Sequence, residues 1–236
     1  MQAHRIASMA GTAIVAAGIA AAAAIGAPGH AAATACPGNE LDHCYGESQM
    51  DQFLKVGDRM VSDYLAHIGV PNRPPVRYLS YGESVKSTCR DDHGRNIIQQ
   101  DDAYEYCPAN NTVYIGQRAL WGYYDEHGAA GPIAGLAHEH GHYLQAIRGV
   151  TSADSVAVED QADCVAGDFV GYLKTLGDVE YPQDYRNLGD MFRSIGSKEG
   201  PGRDHGTPAE RVAAFEKGLF GGLTACNAFI PGTPLT

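Results

Sequence analysis

The amino-acid sequence predicts a helix-rich α+β single domain with a small sheet, stabilised by disulfides. Three observations carry that expectation. Apolar residues recur at helical spacing through several long segments, a short β-branched and aromatic run lies between turn residues, and all six cysteines follow an apolar leader. At 236 residues the chain is long enough for one domain with a sizeable core.

The first segment is the leader. His4 and Arg5 open it, no charged residue follows from Ile6 to Asn39, and the small-residue run Ala31 to Ala35 closes it. That order is the grammar of a secretory signal peptide, with cleavage expected after Ala33 or Ala35. Residues 1–35 are therefore read as the signal and 36–236 as the mature domain. Minor readings keep the leader as an N-terminal membrane anchor, or process the chain at Cys36 as a lipoprotein. Beyond the cut lie Cys36, Cys44, Cys89, Cys107, Cys164 and Cys226, an even set suited to an oxidising compartment. Pairing of sequence neighbours gives Cys36–Cys44, Cys89–Cys107 and Cys164–Cys226.

Within the mature domain, Glu47 to Ile68 reads as a helix stopped by Gly69, with Phe53, Leu54, Met60, Val61, Tyr64 and Leu65 on its apolar side. Val76 to Tyr81 is a candidate strand, and Ser84 to Asp102 reads as a polar loop. Thr112-Val113-Tyr114-Ile115 reads as a short strand, with an edge available to an extended peptide. Gln117 to Glu126 is a candidate helix. Pro132, at a first helical position, opens a helix closed by Gly149, and Ser155 to Leu173 forms the next. Thr207-Pro208-Ala209-Glu210 has the pattern of a capping box leading into Arg211 to Leu219.

Composition excludes partner classes. Lys plus Arg is 17 against 28 Asp plus Glu, a net charge of -11, so no nucleic-acid footprint is present. No basic membrane-surface stripe occurs either, and no stable membrane association is expected once the signal is removed.

The helix opened by Pro132 carries His138-Glu139-His140-Gly141-His142. His138 and His142 are four residues apart, so both imidazoles leave one helix face and can grip one metal ion. Glu139 sits about 100° round the helix, placed to address a water on the metal. A catalytic zinc needs a third protein ligand, and Glu159 on the following helix is the candidate. Asp163 shares its face and can orient a ligand imidazole from behind. Asp154 and Asp160 face elsewhere. His140 points away from the His138–His142 face and reads as a local contact. His43, His67, His93 and His127 match no ligand spacing, and Trp121, Tyr123 and Tyr124 read as packing residues.

These pieces, with Cys107-Pro108, Thr112 to Ile115, Ala137 to Gln145, Glu159 to Gly167 and His205 to Phe215 in order, resemble the bacterial neutral zinc metallopeptidase family, a gluzincin-type family of HExxH proteases. The resemblance implies a zincin-like domain that binds Zn2+ through His138, His142 and Glu159, with Glu139 as catalytic base and a peptide or protein as substrate. It departs from the family pattern at His140 and Asp160, where apolar residues are usual. By its place in the last motif, His205 is the candidate donor to a reaction oxyanion, and Arg211 the candidate partner of Asp163. The expected activity is that of a secreted zinc metalloendopeptidase. A non-catalytic exported protein using the same residues for structure or metal capture is the alternative.

Overall fold

The computed structural model describes residues 47–91, 93–179 and 183–236. The leader and the expected Cys36–Cys44 pair lie outside the described residues. The domain mixes helices with two small sheets. Helix α1 (Glu47–His67) leads into β1 (Val76–Leu79), β2 (Ser84–Arg90), β3 (Asn96–Gln100), β4 (Tyr104–Cys107) and β5 (Thr112–Gly116). Helices α2 (Gln117–His127), α3 (Ala130–Arg148), α4 (Ser155–Leu176), α5 (Gln183–Ser194) and α6 (Pro208–Cys226) follow.

Three sequence expectations differ from the fold. Ser84 to Asp102 is not a loop, because β2 and β3 form an antiparallel hairpin with a register shift between Lys86 and Arg90. Its residues alternate between exposed and buried, so it lacks the uniform apolar signal of a core strand. Nor does the Thr112–Ile115 strand offer an edge. β5 is the centre of a three-stranded sheet ordered β1-β5-β4, parallel to β1 and antiparallel to β4. The strand on the helix side of that sheet is β4, read from no sequence signal. Pro132 also falls at the third residue of α3 rather than the first, since the helix starts at Ala130. Proline is tolerated there because the first-turn N–H groups have no intrahelical acceptor.

Close helix packing depends on missing side chains. A Cβ on Gly141 would stand 3.0 Å from the Ala162 Cα, so this glycine lets α4 lie directly against the His138–His142 segment. A Cβ on Gly167 would meet the Phe215 carbonyl oxygen at 1.9 Å, and one on Gly218 the Cys164 carbonyl oxygen at 1.8 Å. α4 is thereby sandwiched between α3 and α6. Around it pack the buried Leu136, Leu144, Phe169, Phe192 and Phe215, with the last two stacked at 4.7 Å between centroids. Trp121 and Tyr124 pack edge to face against each other and on Phe53.

Covalent ties hold both sides of this sandwich. Cys89–Cys107 joins β2 to β4, and Cys164–Cys226 joins α4 to the end of α6. Both bonds fit an oxidising compartment. At the start of α6, the Thr207 hydroxyl accepts from the Glu210 N–H (3.3 Å) and Glu210 accepts from the Thr207 N–H (2.8 Å), a complete capping box. The helix runs past Leu219 through a non-helical Gly222. Among the described residues, no helix is long and apolar enough to cross a membrane.

Candidate metal centre

His138 and His142 project from the same side of α3, and Glu159 reaches them from the first turns of α4. Nε2 of His138 and Nε2 of His142 are 3.1 Å apart, and each lies 3.3 Å from a Glu159 carboxylate oxygen. A tetrahedral ion with bonds of about 2.0–2.2 Å holds its ligand atoms about 3.3–3.5 Å apart. The three donors are therefore already at ligand spacing, and this buried group can hold a metal ion.

The tautomers support that fit. Nδ1 of His138 lies 2.7 Å from Asp163 Oδ1, an ion-pair contact without well-formed hydrogen-bond geometry, and a carboxylate at that distance favours the proton on Nδ1. Nδ1 of His142 lies 2.8 Å from Gln145 Oε1, an acceptor for the same reason. Both Nε2 atoms therefore turn lone pairs toward one point. Two facing lone pairs and a carboxylate repel one another unless a cation lies among them. Glu159 Oε2 is buried and takes no well-formed hydrogen bond, which adds a further electron-pair donor without a proton.

The electrostatics point the same way. Burial opposes charge on His138, but Asp163, Glu159 and Glu139 together raise its pKa to about 10. Burial opposes charge on His142 too, and Glu159 outweighs it, so the imidazole is also raised. Burial would raise Glu159, yet the two facing rings hold its carboxyl well below the ordinary range. The cluster draws positive charge.

Behind the ligands, Asp163 is fully buried and accepts two bonds of 2.7 Å from Arg211, one from Nε and one from the guanidinium Nη2. Burial acting to raise the Asp163 pKa is overcome by His138 and Arg211, which hold it down. Arg211 thus locks the orientation of the carboxylate that faces His138.

Glu139 is buried beside this cluster, and its Oε2 accepts a 2.6 Å bond from the Tyr106 backbone N–H. Tyr106 is opposite Val113 in the β4–β5 ladder, and its N–H is free to leave the sheet toward α3. Burial raises the Glu139 pKa, Glu159 adds to it, and the two histidines pull it back. Glu139 and His138 border a cavity of about 150 Å³ floored by Tyr104, Tyr123, Met191 and Phe192. His205 also borders it, with its side chain 42% exposed and Nε2 3.3 Å from Glu159 Oε2.

The other expected residues fall away from the donors. His140 is buried, with Nδ1 2.7 Å from the Leu136 carbonyl oxygen, and burial lowers its pKa to about 4. Asp154 caps α4 by accepting from the Ala157 N–H. Burial and the nearby charges of Asp163 and Glu210 push Asp160 up to about 6. His67 stacks on Tyr172 and His127 is buried against Glu126. Sequence reasoning missed Gln145 and the Tyr106 N–H. Gln145 had a findable signal, three residues after a ligand on the same helix.

Among curated proteins, the chain is 30% identical over 159 residues to the uncharacterized protein YpfJ of Escherichia coli strain K12, covering 52% of this chain and 53% of the relative. It matches the YpfJ protein of Escherichia coli O6:H1 to the same extent. The chain thus spans about half the length of the curated relatives it matches. No protein-family model matches the chain, and no solved structure does.

Proposed function

We propose that this chain is an exported zinc-dependent metalloendopeptidase of zincin-like architecture. One observation carries the reading: the two Nε2 lone pairs and the Glu159 carboxylate converge at 3.1–3.3 Å, with the Glu139 carboxyl beside them. Two imidazoles and one carboxylate are a donor set characteristic of catalytic zinc, which keeps an open coordination position. The ion, when bound, supplies a Lewis acid that acidifies water and polarises a peptide carbonyl.

The chain's own residues supply the rest. Glu139 takes the proton from the attacking water at its carboxylate and returns it to the amine of the departing peptide. The Tyr106 N–H fixes one carboxylate oxygen and leaves the other for the proton. His205, partly exposed at the cavity mouth, is placed to donate to the oxyanion that develops on the carbonyl. Asp163, gripped by Arg211, keeps His138 in its ligand tautomer.

Glu139→Gln tests the assignment. Zinc stoichiometry stays at the wild-type value while hydrolysis of an unstructured protein substrate falls about 100-fold or more. Undiminished cleavage removes Glu139 as the base. Zinc binding without any turnover in the wild type favours the non-catalytic alternative.

A further inference from the structure

Behind His142, on the side away from the metal donors, two buried side-chain amides stand in line. Gln145 and Gln161 are 5% and 0% exposed, and every polar atom of both amides has a partner. The polarity of the line is set at its ends by two main-chain carbonyls, which can only accept. The Cys226 carbonyl oxygen accepts from Gln161 Nε2 at 3.2 Å, which turns Gln161 Oε1 toward Gln145. Gln145 Nε2 donates one hydrogen to that oxygen at 3.1 Å and the other to the Val158 carbonyl at 2.7 Å. Its Oε1 is then left facing His142 Nδ1 at 2.8 Å. Flipping either amide would set oxygen against oxygen, so the proton is held on Nδ1 and the Nε2 lone pair is held toward Glu159.

Two further features make this line rigid. Val158 immediately precedes Glu159, so one amide fixes a ligand imidazole to the helix turn that carries the ligand carboxylate. At the far end, Cys226 is bonded to Cys164, three residues after Gln161 on the same helix. The disulfide and the Gln161 hydrogen bond therefore join the same two segments side by side.

We infer that Gln145 and Gln161 are positioning residues: an amide relay, anchored at the Cys226 carbonyl and clamped by the Cys164–Cys226 disulfide, presents the His142 lone pair to the metal. The inference rests on the metal-site reading above. Closing this disulfide thereby raises the affinity of the site for zinc, which ties assembly of the centre to oxidative folding.

The test is zinc affinity, measured by competition with a chromogenic chelator on the exported protein, together with melting temperatures of zinc-loaded and zinc-stripped samples. Gln145→Leu is expected to weaken zinc binding by about 10- to 100-fold, the usual cost of removing a partner of a ligand imidazole. Gln161→Leu removes both the acceptor for Gln145 and the donor to Cys226, and is expected to lose about 10-fold. In both, the loaded-minus-stripped melting difference shrinks, whereas a purely structural role would lower both temperatures together. A double-mutant cycle tests the clamp: Cys164→Ala with Cys226→Ala weakens zinc binding, and adds nothing once Gln161 is Leu. Zinc affinity within twofold of wild type in both glutamine variants overturns the relay, and full additivity in the cycle overturns the clamp. A wild-type protein that binds no zinc overturns the metal-site reading and the inference together.

Discussion

Asp163 and Asp168 lie on one helix, α4, and burial acts on both to raise their pKa values, yet the two shifts end in opposite directions. Asp163 faces His138 on one side and Arg211 on the other, and their attraction holds it below the ordinary carboxylate value. Asp168 faces α1, where the Tyr64 hydroxyl donates to it at 2.7 Å; burial outweighs that bond, the charge of His67 and a backbone bond from Leu223, and its pKa is raised. The difference teaches what separates the two halves of α4. Burial by itself drives an acid toward neutrality, and a buried charge persists only where opposite charge is built around it. The charged half meets α3 and the ligand imidazoles. The other half closes the core against α1 through the Tyr64–Asp168 hydrogen bond.

Removing each acid gives the largest expected contrast. Asp163→Ala leaves Arg211, 2% exposed, as an unpaired buried charge, and should cost about 3–5 kcal/mol of stability. Asp168→Ala loses the bonds from the Tyr64 hydroxyl and the Leu223 backbone N–H and should cost about 1–2 kcal/mol. Urea unfolding of both variants reads the two values directly. Equal losses would mean that the Asp163–Arg211 pair is no more demanding than an ordinary polar contact.

The charged half of α4 was also the more legible half in the sequence. The His138–His142 interval fixes two side chains on one helix face, and Glu159 and Asp163 share a face by the same periodicity, so four residues could be placed from spacing alone. The residues that complete the site are of another kind. Tyr106 contributes a backbone N–H, which has no residue-type signature, and β4 was unread because Tyr104–Cys107 is a four-residue strand with both faces covered. The hairpin of β2 and β3 escaped for the reverse reason, being polar on its exposed face. α5 went unread beside it, since its charged and amide residues outnumber the apolar Leu188, Met191 and Phe192 that bury it. Long amphipathic helices survive such reading because their core contacts are repeated every turn.

A smaller effect separates the two halves by packing. A Cβ on Gly141 would stand 3.0–3.1 Å from the Ala162 backbone, so Gly141→Ala forces α3 and α4 apart where the ligands sit, at a cost of about 1–3 kcal/mol. Gly171, in the other half, would bring a Cβ 3.1 Å from the Leu219 carbonyl oxygen and meet nothing else closer than 3.8 Å. Gly171→Ala should cost about 1 kcal/mol, at the lower end of that overpacking range. Only Gly141→Ala should also weaken zinc binding, because Glu159 moves with the turn that carries Ala162. Chelator competition beside urea unfolding distinguishes the two. Loss of zinc affinity in Gly171→Ala would show that the halves are mechanically coupled.

The smallest effect is a slope. A carboxyl whose folded pKa is raised, as at Asp168, contributes stability that is present below its unfolded value of about 3.9 and is lost as pH rises through the folded value. Asp163, depressed in the fold, contributes stability that is present above about 3.9 and is lost as pH falls through the folded value. Asp168→Asn keeps an oxygen to accept from Tyr64 and removes the titration. Relative to wild type, this variant should therefore gain stability as pH rises from about 4 toward neutrality. The deficit of Asp163→Asn should instead be greatest near neutral pH and shrink in acid. Urea midpoints taken across that range on zinc-stripped protein read both trends. Parallel trends in the two variants would place both acids in the same electrostatic setting, and the contrast between the two halves of α4 would not stand.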